Sequence, residues 1–388
     1  MSVETVTLGC RLNFAESETV AHFAPAGEDW IVVNSCAVTN EAVRQTRQAI
    51  RRAHLARPAA KILVTGCAAE LDPATFEAIE GVTRVVKNSG KLNAFASNDV
   101  MAPVAAGLLH KVKSFVAVQT GCDHRCTFCS IWQARGPSSS LPLEAIRDAI
   151  ARELDRGAKE IVLTGVDITD YAGGLGLVCQ RLLAAEPRLQ RLRLSSLDSI
   201  EIDDALFELI AGEARLMPHF HLSLQAGDDM VLKRMKRRHS RAEAVRTVER
   251  IKTARADASI GADLIAGFPT ETEEMAANTL RLIDDCDIVA AHIFPFSPRP
   301  NTPAARMPQV QPQVVKARAG RLREAAAQRR ARWLDALVGT TQPALIEGDG
   351  TGHTDNFAPL AVAGAERGAT GDVRITRRDG NQLTAVWA

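Results

Sequence analysis

The run Gln119-Thr-Gly-Cys-Asp-His-Arg-Cys-Thr-Phe-Cys-Ser130 sets Cys122, Cys126 and Cys129 at a C-x3-C-x2-C spacing within one short loop. Three thiolates this close suit three irons of a cubane cluster and leave the fourth iron without a protein ligand. An iron left open in this way accepts a small molecule, which turns an electron carrier into a catalyst. A structural zinc site would need a fourth ligand to close its tetrahedron. His124 is a nominee from inside the loop, although a residue between the first two cysteines is poorly placed to close their shell. A disulfide is the third reading.

Outward from the loop, apolar runs alternate with helical patterns. Ser114-Phe-Val-Ala-Val-Gln119 precedes the cysteines. Glu160-Ile-Val-Leu-Thr-Gly165, Arg191-Leu-Arg-Leu-Ser-Ser196, His219-Phe-His-Leu-Ser-Leu-Gln225, Ile260 to Gly267 and Asp287 to Phe294 follow. Between them Leu143, Ile146, Ile150 and Leu154, or Ile202, Leu206 and Leu209, recur at helical spacing. Strands alternating with helices specify an α/β fold with a parallel sheet. Six units are too few for a closed eight-fold barrel, so an open partial (βα)6 barrel is expected. In the fourth strand His219, His221, Ser223 and Gln225 share one face and Phe220, Leu222 and Leu224 the other, so the histidines should line a cavity.

Upstream, Cys10, Cys36 and Cys67 each follow a short apolar run and precede a helical pattern. Parallel strands with right-handed crossovers bring all three strand ends to one edge, where open α/β sheets bind ligands. A second metal cluster is the reading that follows, with three unrelated thiols as the alternative. Cys179 and Cys286 sit in apolar helical stretches and read as packing residues.

The 388 residues are 46% hydrophobic and 24% charged, as in ordinary globular proteins. No apolar run approaches the ~20 residues of a membrane span, and Glu4, Arg11, Glu16 and Glu18 interrupt any signal-peptide core. Cysteines at ligand spacings favour a reducing compartment, so the expectation is cytoplasmic, with no membrane partner. Net charge is only +1, yet basic residues cluster at Arg44–Arg57, Lys233–Arg241 and Lys316–Arg332. Each cluster alone reads as a solvated helix face; together they suit a binder of phosphate backbones. Aromatics make up 4%, so base stacking is not a prominent theme. Four units are expected: an α/β unit over 1–100, a barrel over 111–310, a basic helix over 311–339 and a β-rich tail over 340–388. Asn93, Ser97, Asn98, Asp99 and Pro103 mark the linker between the first two.

The strings Thr7-Leu-Gly-Cys-Arg-Leu-Asn13, Asn34-Ser-Cys-Ala-Val-Thr-Asn-Glu-Ala42, Val64-Thr-Gly-Cys-Ala-Ala-Glu70, Gly121 to Cys129 and Asp263 to Glu271, followed by the β-rich tail, carry a resemblance that covers nearly the whole chain. Their order resembles the radical S-adenosylmethionine (SAM) methylthiotransferases, and their wording resembles the branch acting on threonylcarbamoyladenosine in tRNA. The resemblance implies a radical SAM barrel, a TRAM-like tail and two 4Fe–4S clusters. Cys10, Cys36 and Cys67 would hold the auxiliary cluster, and Cys122, Cys126 and Cys129 the cluster that binds and cleaves SAM. For SAM itself it offers Phe128, Thr164, Gly165, Gln225, Arg237, Asp263 and Gly267. It further implies a tRNA substrate and a reducing protein such as a flavodoxin or ferredoxin.

The implied chemistry spends one SAM on methylating a sulfur of the auxiliary cluster. A second yields a 5′-deoxyadenosyl radical that takes hydrogen from carbon 2 of the adenine. Four features depart from the family pattern: Ser130-Ile-Trp-Gln-Ala-Arg135-Gly136 puts Trp132 where proline is usual before the Arg-Gly pair, Lys87-Asn88-Ser89-Gly90 replaces a Gly-Asn-Thr-Glu string, and the segment between Cys10 and Cys36 and the β-rich tail are both short for the family. Three readings compete with this one. The same chemistry could act on isopentenyladenosine or a ribosomal-protein side chain. A radical SAM oxidoreductase could use the auxiliary cluster as a relay. An RNA-binding protein could carry structural metal.

Overall fold

The computed structural model describes residues 3–25, 27–95 and 112–388. Most of the expected linker, from Ser97 to Pro103, lies outside them.

Four parallel strands, β1 (Val3–Thr7), β2 (Trp30–Ser35), β3 (Lys61–Gly66) and β4 (Val82–Val85), form the first sheet in the order β1-β2-β3-β4. The register pairs Val3 with Trp30 and Trp30 with Lys61, so the three strands begin and end level. Every residue of β2 is buried, as an inner parallel strand covered on both faces requires. Helices α1 (Arg11–His22), α2 (Asn40–Ala56) and α3 (Cys67–Leu71) follow the three strands. Thr39 caps α2 by accepting from the Ala42 N–H at 3.1 Å. Ile31, Val33, Ile50, Ile62, Val64 and Phe76 fill the core of this unit.

All six strands of the second series are present, as β5 (Lys113–Ala117), β6 (Glu160–Thr164), β7 (Leu192–Leu194), β8 (His219–Gln225), β9 (Ser259–Ala266) and β10 (Ile288–Pro295). They pair in parallel as β5-β6-β7 and β8-β9-β10. Isolated bridges from Leu192 to Leu216 and from Leu197 to Leu222 join the halves into one arc. The arc is open between β5 and β10. Phe220, Leu222 and Leu224 enter the core beneath the outer helices, and so do Cys179 and Cys286, the two cysteines read as packing residues.

A short helix, α4 (Ile131–Arg135), follows the cysteine loop, and a 26-residue helix, α5 (Pro312–Leu337), runs back along β10. The tail closes into a five-stranded barrel of β11 (Thr341–Ile346), β12 (Thr351–Thr354), β13 (Pro359–Val362), β14 (Thr370–Asp379) and β15 (Gln382–Trp387), ordered β11-β12-β13-β15-β14. Strand β12, Thr-Gly-His-Thr, carries no apolar alternation and so leaves no strand pattern in the sequence. The tail docks on the larger barrel through buried charge. Glu160 accepts from Arg193 at 2.8 and 3.0 Å and meets His353 at 3.2 Å, while Arg193 also reaches the Asp355 carbonyl at 3.2 Å.

Candidate active site

The level ends of β1, β2 and β3 deliver Cys10, Cys36 and Cys67 to one edge, as parallel order dictates. Cys10 is the N-cap of α1, Cys36 follows the last residue of β2, and Cys67 opens α3. Gly9 makes the approach possible. Its φ is +98°, and a Cβ there would stand 2.8 Å from the Cys36 sulfur. Cys36 and Cys67 are buried and Cys10 is open to solvent. The charge of Cys67 acts on both Cys10 and Cys36, as expected of three thiols around one space.

The second triad sits in the loop after β5. Gln119 clamps its base, donating to the Gly121 carbonyl at 2.9 Å and accepting from the Val166 and Asp167 N–H groups at 3.1 and 2.9 Å. Gly121 has φ +77°, and a Cβ on it would lie 1.8 Å from the Pro137 carbonyl oxygen, so only glycine fits. Thr127 ties the loop's far side to the end of the helix Asp229–Met235, which follows β8, donating through N to Met235 O at 3.1 Å and through Oγ1 to Arg234 O at 2.8 Å. The Ile131 N–H points at the Cys129 sulfur at 3.3 Å.

Arg135, the last residue of α4 (Ile131–Arg135), joins the triads. Its guanidinium donates to the Cys67 sulfur at 3.3 Å, to Asn13 at 2.6 Å, to Thr120 at 3.2 Å and to Glu16 at 2.8 and 2.9 Å. Lys91 supplies a second cation to Glu16 at 2.5 Å. Burial opposes charge on Arg135, but Glu16 and the thiols Cys67 and Cys10 hold it cationic. Burial raises the Cys129 thiol foremost, and the charge of Cys67 adds to it, so the two triads lie within electrostatic reach of each other.

The donor chemistry fits iron–sulfur clusters. Burial raises the thiols of Cys36 and Cys129 to about 11 and that of Cys122 to about 12. Such groups become thiolates at neutral pH when a metal supplies the missing positive charge. Among the described residues, no three thiols gather within 4.8 Å of one another. That spread is too wide for one tetrahedral zinc with Zn–S near 2.3 Å, and it suits separate irons of a cluster. His124 does approach Cys122 and Asp167 within 4.8 Å. However, its ring is already engaged by Asp167 at 2.6 Å and lies 3.6 Å from Glu201, and hydrogen bonds to both carboxylates raise its pKa to about 10.

The remaining candidates are scattered. Arg237 is close to the loop: it donates to Asp198 and the Ser223 carbonyl, both at 2.8 Å, with its other terminal nitrogen 3.9 Å from the Cys126 sulfur. Phe128 packs on the apolar cluster of Met235, Ile265 and Phe268. Thr164 ends β6 and accepts from the Val118 N–H at 2.9 Å, with Gly165 against Gln119. Gln225 ends β8 at φ +68°, a left-handed residue at the strand's carboxyl end. Asp263 is engaged elsewhere, accepting from His221 at 3.0 Å and His292 at 3.1 Å across β8, β9 and β10. Gly267 leaves room for α5, since a Cβ would meet Val315 at 2.6 Å. Asn13, Glu16 and Lys91 carry no role in the sequence reading, and Arg135 enters it only as half of an Arg-Gly pair. Their one signal is that an arginine follows the cysteine loop directly.

Comparison with known proteins agrees with this arrangement. The radical SAM superfamily model matches residues 116–283, and the model described as uncharacterized protein family UPF0004 matches residues 2–87. A threonylcarbamoyladenosine tRNA methylthiotransferase MtaB of Rickettsia prowazekii is 43% identical, covering 92% of this chain and 91% of that one. An MtaB of Thermotoga maritima is 32% identical, covering 96% and 94%. A tRNA-2-methylthio-N6-dimethylallyladenosine synthase of Erythrobacter litoralis is 33% identical, covering 89% and 86%. Among solved structures, the radical SAM methyltransferase TsrM of Kitasatospora setae superposes with a TM-score of 0.54 at 16% identity, covering 75% of this chain and 66% of that one; it shares the fold. The chain belongs to the radical SAM methylthiotransferases, in the branch of the threonylcarbamoyladenosine tRNA enzymes.

Proposed function

We propose that this enzyme converts N6-threonylcarbamoyladenosine beside the tRNA anticodon to its 2-methylthio derivative. In this proposal Cys122, Cys126 and Cys129 hold a 4Fe–4S cluster whose open iron takes SAM, and Cys10, Cys36 and Cys67 hold the auxiliary 4Fe–4S cluster. The observation that carries the reading is the pair of cysteine triads, with Arg135, from the helix that follows one of them, bonded to Cys67 of the other. When bound, the clusters and SAM supply the electron, the radical and the sulfur that acid–base groups lack at an adenine carbon without an acidic proton.

The chain's own residues place and shield that chemistry. Arg135 locks α4 against α1 through Glu16 and Asn13, fixing the separation of the two triads. Arg237, held by Asp198, presents a guanidinium beside Cys126 that suits the methionyl carboxylate. Phe128, Thr164, Gly165, Gln225 and Gly267 are proposed to shape the SAM pocket around it. Asp263 is the weakest of these proposals, since its carboxylate is taken up by His221 and His292. A flavodoxin- or ferredoxin-type protein is the proposed reductant. The proposed division runs 1–100, 111–310, 311–339 and 340–388. Among the described residues no helix is long and apolar enough to cross a membrane; a cytoplasmic setting is proposed from the tRNA substrate and the thiol chemistry.

Anaerobic reconstitution tests the cluster assignment. About eight irons per chain are expected, falling to about four when Cys122, Cys126 and Cys129 are replaced together by Ala. An unchanged count would remove it.

A further inference from the structure

The open side of the partial barrel, between β5 and β10, contains a cavity of about 730 Å³. Arg11 enters it from α1, His221 and His292 from the barrel strands, Arg323 and Arg330 from α5, and Phe357 from the tail. The nearby carboxylates are already matched. Glu347 pairs with Lys113 at 2.9 Å and with His353, and Asp263 with the two histidines. Arg323 and Arg330 spend hydrogen bonds on the Ile293 and Val289 carbonyls at 3.4 and 3.2 Å.

Arg11 differs from these. It is half-buried, and among the described residues its guanidinium has no hydrogen-bond or ion-pair partner; its one contact is the Phe115 ring, 6.0 Å away. Arg193 lies close by, and the nearby carboxylates Glu160 and Asp263 act on Arg11 only through space, without a hydrogen bond to it among the described residues. A half-buried guanidinium without a hydrogen-bonded counter-charge leaves its donors open, and a planar carboxylate fills them through two parallel hydrogen bonds. Arg11 directly follows Cys10, with consecutive Cα atoms about 3.8 Å apart, so its side chain leaves the backbone at the auxiliary site and reaches from there into the cavity. The nucleoside proposed above carries one carboxylate, on the threonyl group at N6, that adenosine and isopentenyladenosine lack.

We propose that Arg11 is a specificity-determining residue whose guanidinium pairs with the threonyl carboxylate of the acceptor nucleoside. The inference rests on the threonylcarbamoyladenosine reading. The same chemistry could come from a backbone phosphate, and the test separates the two sources. Full-length reconstituted enzyme is offered anticodon stem-loops carrying the threonylcarbamoyl group as free acid or as methyl ester, with binding and turnover measured.

For wild type, esterification should weaken binding about 10–100-fold, the range for a hydrogen-bonded charged group. Arg11→Gln should weaken the acid by a similar factor and no longer distinguish acid from ester. Arg11→Lys should recover part of the discrimination, and both variants should keep the wild-type iron content. The effect should fall on KM far more than on kcat. Equal binding of acid and ester by wild type overturns the proposal, as does undiminished discrimination in Arg11→Gln. Equal weakening of both stem-loops in that variant, with discrimination kept, assigns Arg11 to a phosphate and overturns it too. If Arg11→Gln fails to hold iron, the wild-type acid–ester comparison still decides whether the carboxylate is read, and Arg11→Lys whether Arg11 reads it. Wild type that converts only isopentenyladenosine overturns the acceptor reading itself. That result is distinct from failure of Arg11 alone, in which wild type still converts the threonylcarbamoyl substrate.

Discussion

Arg135 is charged although its side chain is only 2% exposed, because Glu16 faces it with both oxygens. Removing one member of a buried ion pair strands the other, at about 3–5 kcal/mol. Arg135→Met should therefore lower stability in urea unfolding by about that amount, and Arg135→Lys by less, since lysine keeps the charge but not the fork. Loss below about 1 kcal/mol in Arg135→Met would show that Lys91 alone satisfies Glu16. Cys179 and Cys286 set the opposite expectation. Both are buried in the main core, so replacing each by Ala should cost stability but leave iron at about eight per chain. Iron loss in either variant would redraw the ligand set. At this scale the cysteines were legible because ligand spacing is local or repeats after each strand. Arg135 was not, because its partners Glu16 and Asn13 lie 119 and 122 residues away.

Helix α5 was readable in extent, from Pro312 to the change of character near residue 340, and its basic residues suggested phosphate binding. The fold alters that picture. Arg318 pairs with Glu271 at 2.9 Å, Arg321 with Glu273 at 2.5 Å, Arg332 with Asp284 at 2.5 Å, and Arg329 with Asp287. Those carboxylates come from the turn after β9, the helix that follows it and the residue just before β10, so no local pattern could reveal the match. Among the described residues Arg323 and Arg330 keep no carboxylate, and both face the cavity. Replacing either by Gln should reduce the slope of log K for tRNA against log salt by about 1, the yield of one phosphate contact. Arg329→Gln and Arg332→Gln should leave the slope nearly unchanged. The reverse pattern in a salt titration would place the RNA on the other face of α5.

At the scale of the whole molecule, six barrel strands and the cysteine-bearing sheet were legible as alternating patterns. The docking of the tail was not, since it depends on buried polar groups whose partners the sequence does not announce. Glu347 is one of them. Burial pushes its pKa up, but His353 and Lys113 overcome that and hold it at about 2, against an ordinary 4.5. The unfolded chain therefore binds the extra proton between those values, so this contribution is complete above about 4.5 and is lost as pH falls through about 2. Glu347→Gln should accordingly cost stability at pH 7 and progressively less below pH 4.5; a gap independent of pH would exclude an ionised Glu347.

The larger claim is a division of labour between two triads in one site, and a single reaction mixture tests it. Cys36→Ala, reconstituted anaerobically with a strong reductant, SAM and tRNA bearing threonylcarbamoyladenosine, is analysed by mass spectrometry for 5′-deoxyadenosine and for the 2-methylthio nucleoside. The account predicts 5′-deoxyadenosine with no methylthio product. Methylthio product at the wild-type rate would contradict it.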